Sequence, residues 1–184
     1  MSLEEKFLRR EEIFEGRILH VVKDTVSLPN GKEAEREVAL HIGGVAIVAM
    51  LDNGDILMER QYRYPHGRVF FEIPAGKLDY ADEDVESAAR RELREETGAI
   101  AGDMTYLGEI ATTPALMSEK IHLFFARQIT FTDRELDEDE FLDVERIPLG
   151  KLYSMVMNGK ITDAKTQIAI LKVYAMLNLP VVDL

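Results

Sequence analysis

Arg91-Glu92-Leu93-Arg94-Glu95-Glu96-Thr97-Gly98 ends a segment rich in Ala, Glu, Arg and Leu that opens on acidic residues near Asp84. An acidic start, strong helix formers and a terminal glycine predict a helix over residues 84–97. Successive residues turn by about 100°, so Val85, Ala88, Ala89 and Leu93 share an apolar face directed into a core. Offsets of three and four residues gather Glu92, Glu95 and Glu96 into one stripe. Like charges so spaced cost roughly a few tenths of a kcal/mol per pair in an isolated helix. The stripe is therefore either a solvated face balanced by Arg90, Arg91 and Arg94 or the seat of a cation.

Outward from the helix, the pattern is that of a mixed α/β chain. Pro74-Ala75-Gly76 interrupts a strand predicted over 69–73, so a carbonyl in that loop is free to face the acidic stripe. Val45-Ala46-Ile47-Val48-Ala49-Met50-Leu51 suits a buried strand, and Asp52-Asn53-Gly54-Asp55 turns it into another ending at Gln61-Tyr62-Arg63. Before these, residues 9–41 alternate apolar and polar groups, with Pro29-Asn30-Gly31 as a turn, and predict a small antiparallel sheet. After the helix, strands are predicted over 104–111, 121–129 and 141–146, with an acidic loop at 135–140 and helices over 149–157 and 163–177. No repeat, low-complexity tract or linker divides the chain, and helices outside a sheet are expected.

Composition narrows the chemistry. The 184 residues, 46% of them apolar, suffice for one core-bearing domain and a small appended element. A net charge of -12 opposes binding to a nucleic-acid backbone, so a phosphate-bearing substrate would need bound cations or a local arginine cluster. Surplus carboxylates favour cations, because Mg2+ prefers hard oxygen ligands. With no cysteine, disulfides, thiolate nucleophiles and thiolate metal sites are excluded. A charged start and the lack of any apolar run near the ~20 residues of a membrane span predict a cytoplasmic protein without a membrane partner.

Gly76, Glu83 and the run Arg91-Glu92-Leu93-x-Glu95-Glu96-x-Gly98 together resemble the Nudix box, in which a glycine loop and a helix hold divalent metal against a diphosphate. Seven residues separate Glu83 from Arg91, as in the family, whereas the six between Gly76 and Glu83 are one more than its pattern. The extra residue is assigned to 77–82, since loops tolerate insertion and an insertion inside the helix would rotate the carboxylates by about 100°. Seating Asp82 in the Glu83 position is the alternative, and it requires that helix insertion. The resemblance implies an α/β (α+β) Nudix fold: a mixed sheet sandwiched between helices, with a small N-terminal antiparallel sheet. It divides the chain into an N-terminal element over 1–41, for dimerisation and substrate, and a catalytic domain over 42–184.

Three further features are similar to the ADP-ribose pyrophosphatase subgroup. Pro114 lies fifteen residues beyond Ala99, Gln61-Tyr62-Arg63 precedes Phe71-Glu72-Ile73-Pro74-Ala75-Gly76, and Gly31-Lys32 precedes Arg36-Glu37-Val38. Pro114-Ala115 departs from the subgroup's frequent Pro-Gly, and Leu116-Met117-Ser118-Glu119 lacks its usual aromatic. The resemblance implies Mg2+, or Mn2+ as a substitute, held by Glu92, Glu95, Glu96 and the Ala75 carbonyl. It also implies a diphosphate or terminal-ribose contact for Arg63, support of metal or ribose by Glu72, adenine-side contacts from Arg36 and Glu37, and a terminal-ribose contact for Glu119. A general base is expected in the acidic loop, Glu140 first and Glu138 second, because carboxylates occupied by metal accept protons poorly. The implied reaction is hydrolysis of ADP-ribose to AMP and ribose 5-phosphate by a homodimer. Alternatives are another nucleoside-diphosphate sugar, such as a GDP- or UDP-hexose, or a catalytically silent nucleotide-sensing module.

Overall fold

The structure, a computed structural model, describes residues 2–136 and 140–180. Two compact units emerge, one of residues up to Gly43 with Ala111–Lys120, the other of Gly44–Ile110 with the chain from Ile121 onward. In the first, β1 (Lys6–Glu15), β2 (His20–Ser27) and β3 (Glu33–Leu40) form an antiparallel sheet in the order β1-β2-β3. Gly31 closes the expected turn, its N–H donating to the Leu28 carbonyl at 2.9 Å. Sheet structure begins at Lys6 rather than near residue 9, as a strand whose every residue is exposed. Charge masks β1 in the sequence, yet charge holds it: Arg10 makes a two-pronged pair with Asp24 on β2, both contacts 2.7 Å. Residues 111–120 join this unit through Ala39, which donates to Leu116 at 2.9 Å and accepts from Ser118 at 3.1 Å.

The second unit carries β4 (Gly44–Ala49), β5 (Asp55–Arg63), β6 (Arg68–Glu72), β7 (Ala75–Lys77), α1 (Val85–Thr97), β8 (Ala99–Ala111), β9 (Lys120–Phe131), β10 (Leu142–Pro148), α2 (Leu149–Met157) and α3 (Ala164–Asn178). One sheet runs β7-β4-β9-β8, with β4 parallel to β9 and antiparallel to β7; a second runs β10-β5-β6. Strand β4 is wholly buried, as its unbroken apolar run requires of a strand covered on both faces. Its side chains alternate between two cores. Ala46 and Val48 meet Leu152 of α2 and Ile170 and Val173 of α3, whereas Val45, Ile47 and Ala49 meet Ala88, Ala89 and Leu93 of α1. A mixed sheet thus lies between helices, as the sequence implies.

Helix α1 has the predicted ends. Asp84 caps it by accepting from the Ser87 N–H at 2.9 Å, and Gly98 leaves it at φ 72°, a left-handed turn that suits glycine. Two expectations need correction. Strand β8 starts at Ala99 instead of 104, because the left-handed Gly98 reverses the chain at once and buries Ala99 and Ala101, small residues with weak strand signal. The strand expected over 69–73 is β6 and ends at Glu72, but the loop expected after it is not all loop: Ala75–Lys77 form a separate short strand, β7, in the other sheet, with Val45 opposite Gly76 and Ala46 opposite Ala75. Proline removes one ladder donor, at Pro74, whose carbonyl still accepts from Ile47 at 2.9 Å.

Candidate active site

Edge strand β7 faces α1. The Ala75 N–H donates to Glu96 Oε2 at 3.0 Å, and thus away from β4. In a strand the N–H and C=O of one residue point to the same side, so the Ala75 carbonyl also faces outward at this edge. The carbonyl is available because β7 is an edge strand, not because the strand has ended. Gly76 is bare for a reason of contact: a Cβ there would land on the Glu92 carboxylate. Glycine on β7 and glutamate on the helix thus allow a close approach of backbone to carboxylate.

Arg91 organises the carboxylates that flank this contact. It donates to Glu92 at 2.8 Å, to Glu95 at 3.2 Å and to Glu83 at 3.3 Å. Glu83 in turn accepts from the Asp79 N–H at 2.7 Å, closing the loop that contains the extra residue. Of Glu83 and Asp82, Glu83 is therefore the one joined to Arg91, which also lies 3.5 Å from the Asp79 carboxylate.

Behind α1 the hairpin of β5 and β6 adds acids. Glu59 stands opposite Glu72 in the ladder, and both are 3% exposed. Arg63 grips Glu72 with two prongs, at 2.8 and 2.9 Å, and Lys165 of α3 also binds Glu72 while contacting Asp163 at 3.1 Å. Burial would raise the Glu72 carboxyl, but Arg63 and Lys165 outweigh it and hold it below its ordinary value. For Glu59 the balance is reversed: burial and then Glu72 outweigh Lys165 and Arg63 and push its carboxyl up, and its Oε1 has no hydrogen-bond partner. Glu96 is raised by burial and by Glu59, Glu92 and Glu140, and Glu92 is pushed up to about 7, chiefly by burial.

These groups fit a divalent cation. Oxygen donors of one charge sign lie in electrostatic reach of one another, several are driven toward their protonated forms by burial and mutual repulsion, and one buried oxygen among them is unsatisfied. As the side chains stand, no three acidic or histidine groups among the described residues enclose one point, and Arg91 lies across Glu92 and Glu95.

Of the residues singled out in the sequence, this unit brings together Arg63, Glu72, Ala75, Glu92, Glu95 and Glu96, with Glu140 in electrostatic reach of Glu59, Glu92 and Glu96. Glu138 lies outside the described residues. Arg36, Glu37 and Glu119 belong to the other unit. Arg36 is bound to Glu5, at 2.9 Å from Nε, and Glu37, its neighbour on β3, projects from the opposite face of the sheet. Glu119 accepts from Thr112 at 2.5 Å and lies 3.6 Å from His41.

Glu59 and Lys165 escape the sequence reading. Residues Ile56 to Glu59 are all buried, so alternation does not mark the acid. Folding the chain about Pro65-His66 sets Glu59 opposite Glu72 and was the available signal. Lys165 sits in a helix start, where its charge looks ordinary.

Comparison with known proteins agrees with this geometry. The NUDIX domain matches residues 40–167, and the nucleoside diphosphate sugar hydrolase N-terminal domain matches residues 5–39. The chain is 42% identical to the ADP-ribose pyrophosphatase of Bacillus subtilis (strain 168) over 171 residues, 92% of each chain. It is 40% identical to the methanol dehydrogenase activator of Bacillus methanolicus over 169 residues, 91% of each. Among solved structures, an ADP compounds hydrolase superposes with a TM-score of 0.84 at 26% identity, covering 96% of both chains. With the family's glycine loop, its helix carboxylates and its two domain matches all present in one chain, this protein belongs to the Nudix hydrolases.

Proposed function

We propose that this Nudix hydrolase splits the pyrophosphate bond of ADP-ribose, releasing AMP and ribose 5-phosphate. The observation that carries the reading is the Glu92 carboxylate against the bare Gly76, with Glu96 anchored on the Ala75 N–H. Glu92, Glu95, Glu96 and the outward Ala75 carbonyl would hold Mg2+, with Mn2+ as a substitute. When bound, the cation neutralises charge on the diphosphate and lowers the pKa of a coordinated water. Glu140, in the loop before β10, accepts the proton of the attacking water; Glu138 is the second choice. Arg63 offers a planar fork to phosphate oxygens or the terminal ribose, and its pairing with Glu72 holds that fork in place.

ADP-ribose is favoured over other sugars by the names of relatives, including the Bacillus subtilis enzyme at 42% identity. Turnover of ADP-ribose, GDP-mannose and UDP-glucose with Mg2+, each with product identification, tests the choice. ADP-ribose is expected to show the highest kcat/KM, and a tenfold preference for either hexose would overturn it.

The protein acts as a homodimer in this reading, with the N-terminal sheet helping to build the partner's adenosine site and Arg36, Glu37 and Glu119 on the nucleotide. Support comes from β1, where Phe7, Leu8, Ile13 and Phe14 are 45–60% exposed, and from the marginal stability of a small sheet alone. Sedimentation at micromolar concentration should give twice the chain mass; a fully active monomer would contradict it. Among the described residues no helix is long and apolar enough to cross a membrane.

A further inference from the structure

Strand β5 sends one acid into the protein where its neighbours are apolar. Ile56, Leu57 and Met58 are fully buried, and Glu59 follows them at 3% exposed. Burying a carboxylate is costly unless it is paired or coordinates a metal. Pairing is not what Glu59 finds. Arg63 and Lys165, the cations in its electrostatic reach, are bound to Glu72 across the ladder. Among the described residues Glu59 forms no ion pair, and its Oε1 is buried without any hydrogen-bond partner.

The surroundings of that oxygen are acidic. Glu59 and Glu96 feel each other's charge, and Glu140 acts on both. Glu96 comes from α1 and is held by the Ala75 N–H at 3.0 Å, so its carboxyl is fixed in place within electrostatic reach of Glu59. Two buried like-charged acids from different elements, one with an unused oxygen, would destabilise the fold if they served only to fill space. Replacing Glu59 by leucine or methionine would continue the run of β5 and remove that cost.

We propose that Glu59 is a ligand of the divalent-cation centre, adding a carboxylate from β5 to those that α1 supplies. The inference rests on the metal-dependent reading above. It extends the centre inward, from the β7 edge to the β5–β6 hairpin, and gives the hairpin a share in holding the ion. Because Glu72 is neutralised by Arg63 and Lys165, Glu59 is the hairpin's acid with an oxygen to give.

The test is Mn2+ binding by metal-free protein without substrate, read from the resonance of free Mn2+, together with the melting temperature of each metal-free protein. Wild type is compared with Glu59→Gln, Glu59→Leu and Glu96→Gln. Glu59→Gln and Glu59→Leu should each weaken Mn2+ binding at least tenfold or remove one bound ion, and metal-free Glu59→Leu should melt higher than wild type. Leucine serves as the second variant should glutamine disturb the strand. If both Glu59 variants bind Mn2+ like wild type while Glu96→Gln does not, this inference fails and the centre stands. If Glu96→Gln also binds like wild type, the centre itself is wrong. Lower melting temperatures in both Glu59 variants would also overturn the inference, since Glu59 would then support the fold and not the ion.

Discussion

A carboxylate at this site does one of two jobs, and its surroundings decide which. Glu92 and Glu96 face backbone at the β7 edge, fixed by a bare glycine and an amide, as suits metal ligands. Glu140 lies ahead of β10, in electrostatic reach of those acids but on a different segment, as suits a proton acceptor. Glu140→Gln should therefore lower kcat by about 10²–10⁴ with little change in Mn2+ affinity. Glu138→Gln is the paired control, and if neither variant slows turnover tenfold the base lies elsewhere. At this scale the sequence is legible where spacing is local. One helical turn suffices to align Glu92, Glu95 and Glu96, and Gly76 is visible as a loop glycine. Glu59 and Lys165 become functional candidates only through the β5–β6 register and the packing of α3, which no local pattern carries.

Elements position the site through a few exact contacts. Strand β7 must pass close to α1, and Gly76 permits it: Gly76→Ala would push a methyl group onto the Glu92 carboxylate. The variant should stay folded, because Glu92 ends a flexible side chain, but should bind Mn2+ at least tenfold more weakly in a direct titration. Helix α3 is tied to the end of β6 by Thr166, whose hydroxyl accepts from the Ile73 N–H at 3.0 Å and donates to Asp163 at 2.6 Å. Thr166→Val keeps the shape and leaves that buried amide unsatisfied, at a cost of about 1–3 kcal/mol in chemical denaturation. A change below 0.5 kcal/mol, roughly the noise for a neutral surface substitution, would count against the tie. Helix α1 was readable from its acidic start, its periodicity and its terminal glycine. Strand β7 was not, because it is only three residues long and Ala75 and Gly76 carry little strand propensity, and β8 was underestimated because Ala99 to Ala101 carry little either.

Taken as a whole, the molecule gathers acids against their own repulsion within a chain of net charge -12. In the metal-free protein the Glu92 carboxyl rises from 4.5 to about 7, mainly through burial. Between those values the folded state keeps a proton that the unfolded state releases, so stability falls as pH rises through the window. Mg2+ should reverse the trend, since binding favours the deprotonated ligands and stabilises only the folded state. Melting curves with EDTA should therefore decline from pH 4.5 toward 7, and the rise on adding Mg2+ should be larger at pH 7 than at pH 5. A rise of the same size at both would contradict it. The most direct test of the hydrolase assignment is product analysis of ADP-ribose incubated with the purified protein, with and without Mg2+, beside Glu96→Gln. AMP and ribose 5-phosphate in equal amounts, formed only with the divalent cation and at least a hundredfold more slowly by Glu96→Gln, is the expected result. Cleavage that persists in EDTA, or that Glu96→Gln performs at the wild-type rate, would contradict the account.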